Sequence, residues 1–337
     1  MLKFGIIGCG RIAQRHAEQM VDFGKLLAVC DIDAQKAKSL SEKYNANDYT
    51  NLESFLEQES SMDLIAVCTP NYLHAEHTLE ALRNGFHVLC EKPMAIHSSD
   101  CREMISVAND LGKQLFIVKQ NRFNPPVQAV KELLEKKKLG KIYSVHLNCI
   151  WNRNADYYIS SDWKGKKEKD GGILFTQFSH FIDLLYWFFG ELAEAKTFVS
   201  NLGHQDCIEF EDTTVASFRF QNGVLGSAHF SINSYQKNRE GSLTIIAEKG
   251  TVKIGGEYLN KLEYQHMQDS PMTMVDEGNE ANDYGSYQGS MSNHHLVYQH
   301  VAEVLTKGIK NEFDGVNGLK TVEMIEKIYQ ATDATHH

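Results

Sequence analysis

Gly8-Cys9-Gly10-Arg11-Ile12-Ala13 follows a short apolar run, 3–7, and opens a helical pattern over 11–22. In a G-x-G-x-x-A turn the first glycine permits a tight bend and the second lets a phosphate approach the backbone. The third position needs only a small side chain, which Ala13 supplies. Helix N-terminal amides and the helix dipole then favour an anion. Asp31 follows the next apolar run, 26–30, where a carboxylate can accept both hydroxyls of a ribose. The same charge repels a 2′-phosphate, and no Arg lies within 32–40 to pair one. The pattern predicts a dinucleotide site for NAD rather than NADP, formed by Gly8, Cys9, Gly10, Arg11, Ile12 and Asp31.

Two further segments follow apolar runs of the same kind. Cys68-Thr69-Pro70-Asn71-Tyr72-Leu73-His74 comes after 63–68, and Glu91-Lys92-Pro93 after 87–90. Burial and a neighbouring positive ring can lower the pKa of a lysine at a strand end, so that it exchanges a proton. Taken alone, Glu-Lys-Pro also reads as a surface turn. Further on, Thr176 and His180 share a helix face, and Asp183 follows one turn later. Taken alone, that histidine reads as a satisfied core residue on an apolar helix. Without further clustered ligands His180 and Asp183 predict no metal site.

The elements that must position these residues change character along the chain. Apolar runs at 3–7, 26–30, 63–68, 87–90 and 115–118 alternate with helical patterns at 11–22, 34–44, 72–84 and 98–111. Such alternation predicts βαβ units and an open, doubly wound parallel sheet. After Pro125-Pro126 comes a helix over 127–138, then strand-like runs at 141–150, 195–200, 213–220, 224–232, 242–247 and 251–254. A helix over 173–189 interrupts them, Asn222-Gly223 marks a hairpin, and helices return near 293–307 and 317–330. The expected fold class is therefore α/β: an N-terminal Rossmann domain over 1–120 and a C-terminal α+β domain with a large open antiparallel sheet over 121–337. The last helix is expected to pack back on the first domain, and 266–292 reads as a long loop.

The order G-x-G-x-x-A, T-P-N-x-x-H and E-K-P, followed by a sheet domain, resembles the Gfo/Idh/MocA oxidoreductases. That resemblance implies that Lys92 is catalytic and that Thr69, Asn71, His74, Glu91, Lys92 and Gln120 contact the cofactor. Gly171-Gly172 through His180 and Asp183 looks like the family's G-G-x(7)-H-x-x-D segment and implies that His180 is catalytic. Thr176 departs from the aspartate of inositol-dehydrogenase-like members. Trp151 to Tyr158, Asp162-Trp163-Lys164-Gly165 and Lys119-Gln120-Asn121-Arg122 resemble a narrower subgroup, the UDP-N-acetylglucosaminuronate 3-dehydrogenases. The substrate residues implied are Lys92, Asn121, Arg122, Arg153, Tyr157, Tyr158, Trp163, Lys164, Thr176, Gln177 and His180. Arg122, Arg153 and Lys164 would meet a carboxylate or diphosphate, and the aromatics would offer stacking faces. Two rivals stand beside this reading: a dehydrogenase of a free sugar or polyol, and a dinucleotide-binding module without turnover.

Composition bounds the partners. The 337 residues carry a formal charge of −10 without a long basic run, which argues against nucleic acid as a polymer. No apolar run is long enough to span a membrane. Met1–Gly8 is too short and Gly-rich for a signal peptide, and seven scattered cysteines suit a reduced cytoplasm. A homodimer or homotetramer is expected, because an open antiparallel sheet needs a cover. His336-His337 receive no function.

Overall fold

The computed structural model describes residues 1–268, 276–278, 281–283 and 288–332. It divides into two compact units, Met1–Lys119 with His294–Val322, and Gln120–Asn293 with Glu323–His337.

The first unit is built on parallel strands β1 (Leu2–Ile7), β2 (Gly24–Cys30), β3 (Asn47–Tyr49), β4 (Leu64–Val67), β5 (His87–Cys90) and β6 (Leu115–Ile117). Their spatial order is β3-β2-β1-β4-β5-β6. Helices α1 (Arg11–Phe23), α2 (Ala34–Tyr44), α3 (Leu52–Gln58), α4 (His74–Arg83) and α5 (Ser98–Asp110) connect them. Crossover helices cover a parallel sheet on both faces, and all four residues of β4 are accordingly buried. The strand order reverses between β1 and β4, so their carboxyl ends form the crevice where ligands bind such sheets. Strand β3 and helix α3 escape the hydropathy pattern, because Asn47-Asp48-Tyr49 is a short, polar edge strand.

The second unit starts with α6 (Pro125–Glu135). Its sheet comprises β7 (Ile142–Ile150), β8 (Leu192–Ser200), β9 (Thr213–Phe220), β10 (Leu225–Ser231), β11 (Glu240–Ala247), β12 (Gly250–Gly255) and β13 (Lys261–Met267). The order is β13-β12-β11-β7-β10-β9-β8. All neighbours are antiparallel except the central pair, β7 and β10. The sheet is therefore mixed, not purely antiparallel: the chain leaves β7 through a long helical insertion, and only such a crossover allows a parallel return. That insertion holds α7 (Ala155–Ile159), α8 (Lys167–Asp170), α9 (Ile173–Thr176) and α10 (Ser179–Phe189). The helix expected over 173–189 breaks at 177–178, where Phe178 enters an aromatic core 5.4 Å from Trp151 and 5.3 Å from Phe230. Strand β9 alternates strictly, with Thr214, Ala216, Phe218 and Phe220 buried and Val215, Ser217 and Arg219 exposed.

Within 266–292, read from sequence as a loop, β14 (Ala281–Asp283) and β15 (Gln288–Met291) pair. Residues 269–275, 279–280, 284–287 and 333–337, the terminal histidines among them, lie outside the described residues. Helices α11 (His294–Lys307) and α12 (Gly315–Gln330) follow. Residues 294–322, which the sequence reading placed in its second domain, group with the first unit. Tyr298 of α11 explains why: its ring lies edge-on to Phe4 at 5.8 Å, and its hydroxyl reaches His16 of α1 at 2.7 Å.

Candidate active site

At the carboxyl end of β1, Gly8 has φ +90°, and a Cβ there would lie 2.8 Å from the Cys68 carbonyl carbon and the Thr69 nitrogen. Only glycine fits. Gly10 caps α1, whose first turn holds no acidic residue. A Cβ at Gly10 would meet nothing within 4 Å among the described residues, so the space over the helix N-terminus is an open cradle for an anion. Asp31 stands beside it, accepting from the Cys9 N–H at 2.7 Å and the Asp33 N–H at 2.8 Å. A carboxylate has about four acceptor sites, so two backbone bonds orient it and leave room for ribose hydroxyls. Burial, aided by the Asp31 charge, pushes the Cys9 thiol up to about 12, so it stays neutral beside a phosphate. This donor set fits NAD.

Thr69 and Asn71 follow β4, with Thr69 Oγ1 3.1 Å from His77 Nδ1. His74, expected to contact the cofactor, has two partners within the chain. It is buried, with Nδ1 2.6 Å from the Pro93 carbonyl and Nε2 2.8 Å from the Thr69 carbonyl, so its ring ties the two turns together. Glu91 is likewise turned inward: its carboxylate lies 2.9 Å from His16 and accepts the Lys92 N–H at 3.0 Å. Burial opposes the charge, but His16 and His294 hold Glu91 well below the usual carboxylate range. Lys92 itself is half-buried.

In the second unit, His180 is buried at the start of α10 with Nε2 2.9 Å from Gln120 Nε2. Asn121 is buried beside Gln120 in the chain, and neither its amide oxygen nor its nitrogen has a partner among the described residues. Such a group is costly unless a ligand satisfies it. Thr176 donates to the Asp170 carboxylate, a partner not recognised from sequence. Gln177 Nε2 lies 3.5 Å from the Tyr157 hydroxyl, and the Lys164 ammonium stands 3.9 Å from the centre of the Tyr157 ring. Arg153 spans the Trp151 and Tyr157 rings at 5.1 and 5.3 Å, and its Nη1 donates to the Asn152 carbonyl. Trp163, half-buried, lies 5.9 Å from Lys164.

Two residues expected at the substrate are buried within the second unit. Arg122 is buried in a bidentate pair with Asp183, at 2.7 and 2.8 Å, so a carboxylate within the fold meets its charge. Tyr158 is a core residue, 1% exposed and packed against His204 and Phe210. Sequence reasoning also missed His16, His294 and Tyr298 around Glu91, and His204 with Asp212. No local spacing signals these partners, because the fold brings them from distant elements.

A glycine turn at the end of β1, an open cradle over the α1 N-terminus and a carboxylate at the end of β2 are the features of a dinucleotide-binding parallel sheet. Residues 2–119 match the model described as "Oxidoreductase family, NAD-binding Rossmann fold", and residues 127–253 match the GFO/IDH/MocA C-terminal domain. The chain belongs to the Gfo/Idh/MocA family and is an NAD-dependent oxidoreductase of sugar CH–OH groups. It is similar to the WlbA dehydrogenase of Bordetella pertussis, solved with NADH and UDP-GlcNAcA, at 33% identity and TM-score 0.88, covering 98% of this chain and 96% of that one. It is 30% identical to D-glucoside 3-dehydrogenase of Escherichia coli over 68% of this chain and 67% of the relative. The 2,7-anhydro-N-acetylneuraminate hydratase of the same bacterium is 26% identical over 76% of this chain and 71% of that protein.

Proposed function

We propose that the chain oxidises the C3 hydroxyl of UDP-N-acetylglucosaminuronate, giving a 3-keto sugar, NADH and a proton. The observation that carries this reading is the end-to-end likeness to WlbA, whose structure holds UDP-GlcNAcA. NAD, when bound, supplies the hydride acceptor. Gly8, Gly10 and the α1 N-terminus would hold its pyrophosphate, and Asp31 its ribose. Lys92 or His180 removes the hydroxyl proton as the hydride leaves C3, and the other stabilises the developing alkoxide. Arg153 and Lys164, both set over Tyr157, are the cations offered to the uronate or the diphosphate, and the Asn121 amide offers a donor and an acceptor. The same reading places the enzyme in the cytoplasm, in surface-polysaccharide sugar synthesis, as a homo-oligomer.

A second reading, oxidation of a free glycoside or sugar, draws on the likeness to D-glucoside 3-dehydrogenase. A screen of UDP-sugar acids against free sugars, followed by NADH absorbance, separates the two. Turnover confined to UDP-N-acetylglucosaminuronate is expected; faster turnover of an uncharged sugar would reject the proposal. Lys92→Ala should lower kcat by about 10²–10⁴-fold, the span of general acid–base catalysis, with NADH affinity retained. Near-normal turnover in that variant would refute the role of Lys92.

A further inference from the structure

Glu91 has more partners than a surface turn requires. Its Oε1 lies 2.9 Å from His16 Nε2 on α1 and 3.6 Å from His294 Nε2 on α11, while Oε2 accepts the Lys92 backbone N–H. His16 is fixed through its other nitrogen, 2.7 Å from the Tyr298 hydroxyl. His294 is buried, and neither of its ring nitrogens makes a hydrogen bond among the described residues, so the Glu91 carboxylate is the charge its Nε2 faces.

A carboxylate removed from water must be paired where it stands. The other titratable groups facing Glu91 are Cys68, Cys90, Tyr298 and His74. Burial pushes both thiols and the phenol up, so none of these three competes as an anion at neutral pH. For His74, burial pulls the pKa down while its two carbonyl partners pull it up. Glu91 is thus the negative charge of this cluster, placed next to Lys92 and tied to the helix that opens the nucleotide loop.

We propose that Glu91 is a positioning residue for Lys92: its carboxylate, held by His16 and His294, fixes the Lys92 backbone and sets the charge the lysine feels, without touching the cofactor. The proposal rests on Lys92 being the proton-exchanging residue. Ligand atoms of His16, Glu91 and His294 all lie within 4.8 Å of one another, an arrangement a metal ion could share. The 2.9 Å contact between His16 and Glu91 is instead a hydrogen-bond spacing. Ligands about 2.0–2.1 Å from a tetrahedral zinc stand roughly 3.3 Å apart.

The test uses full-length wild type, Glu91→Gln and Glu91→Ala, with three measurements. NADH affinity by fluorescence titration is expected to stay within about twofold of wild type in both variants, since no cofactor contact is lost. Labelling of Lys92 by an amine-directed acylating reagent across pH, read by peptide mass spectrometry, should show its midpoint falling by about one pH unit in Glu91→Gln. Loss of a nearby anion disfavours the ammonium form. The kcat should fall on the order of 10²-fold in Glu91→Ala, the cost of a misplaced reacting group, and less in Glu91→Gln, which keeps an acceptor for the Lys92 N–H. An unchanged labelling midpoint in Glu91→Gln, a loss of NADH affinity matching the loss of kcat, or stoichiometric zinc in the purified wild type would each overturn the proposal. Should Glu91→Ala not fold, the isosteric Glu91→Gln decides. Labelling and NADH titration need no sugar, so they stand even if the substrate reading fails.

Discussion

Gly8 and Asp31 show what single residues contribute. A methyl at Gly8 would meet the backbone of residues 68 and 69 while adopting a φ that L side chains rarely take. Gly8→Ala should therefore destabilise the fold by about 1–3 kcal/mol, the cost of a forced left-handed residue, with the collision adding to it. An unchanged melting temperature would contradict that geometry. Asp31→Ser removes the carboxylate that accepts from Cys9 and Asp33. Bonds to charged groups are worth about 1.5–3 kcal/mol, so NADH affinity should fall roughly tenfold or more. Unchanged affinity in a fluorescence titration would remove Asp31 from the ribose. Both residues were legible in the sequence because their work is local: a turn and a strand end sit a few bonds from the side chain that matters. Arg122 was not. Its charge looked available for a substrate anion until the fold set Asp183 against it, 61 residues away along the chain. The partners of Glu91 and His74 were hidden for the same reason, since a motif names a residue but not the direction in which its side chain turns.

Elements were legible where hydropathy has a period. Strand β9 was readable residue by residue from its alternation, and the Asn222-Gly223 hairpin joins β9 to β10 as an antiparallel pair. The parallel pairing of β7 with β10 was not readable, because it depends on which strands meet after a long insertion and not on the pattern of either one. The segment between β8 and β9 is held by an ion pair that no local pattern discloses. His204 Nδ1 lies 3.2 Å from Asp212 Oδ2, which also accepts from the N–H groups of Leu202 and Gly203, and His204 Nε2 lies 2.6 Å from the Arg153 carbonyl. Two acceptors around one imidazole call for the doubly protonated ring. The Asp212 carboxylate accordingly raises the His204 pKa, and the Asp212 pKa is depressed by its donors against its own burial. The signs follow. His204 contributes stability in full below its unfolded pKa of about 6.5, and that contribution is lost as pH rises through the elevated folded value. Asp212 contributes above about 3.9 and loses its share only as pH falls through the depressed folded value. Urea unfolding of wild type and His204→Gln should therefore differ most at pH 6 and below, by about 1.5–3 kcal/mol for a bond between charged groups, and converge as pH rises. A difference constant from pH 6 to pH 9 would show that His204 is neutral in the fold.

At the scale of the whole molecule the question is what covers the open sheet. Cross-strand registry places Phe198 opposite Val215, Leu225 opposite Arg219, and Ile246 opposite Ser144, so Phe198, Val215, Leu225 and Ile246 share one face. All four are exposed, Phe198 to 65%. Single exposed apolar residues need no explanation, whereas several on one flat sheet face mark an interaction surface. Among the described residues no helix is long and apolar enough to cross a membrane. A second copy presenting the same face would bury these residues against their own kind through a two-fold axis, the commonest symmetry of soluble oligomers. Polar neighbours on the same face, Lys196 and Ser217 in one row and Glu194 and Arg219 in the next, would set the register of such a pair. We therefore expect wild type to sediment as a dimer or tetramer. Val215→Glu should shift it toward monomer, because two buried like charges would face each other across the axis. NADH affinity should be retained, since β9 lies in the unit that does not carry the nucleotide cradle. A wild type that is monomeric at micromolar concentration, or a Val215→Glu variant with unchanged mass in sedimentation, would show that this face is covered by something other than a second copy.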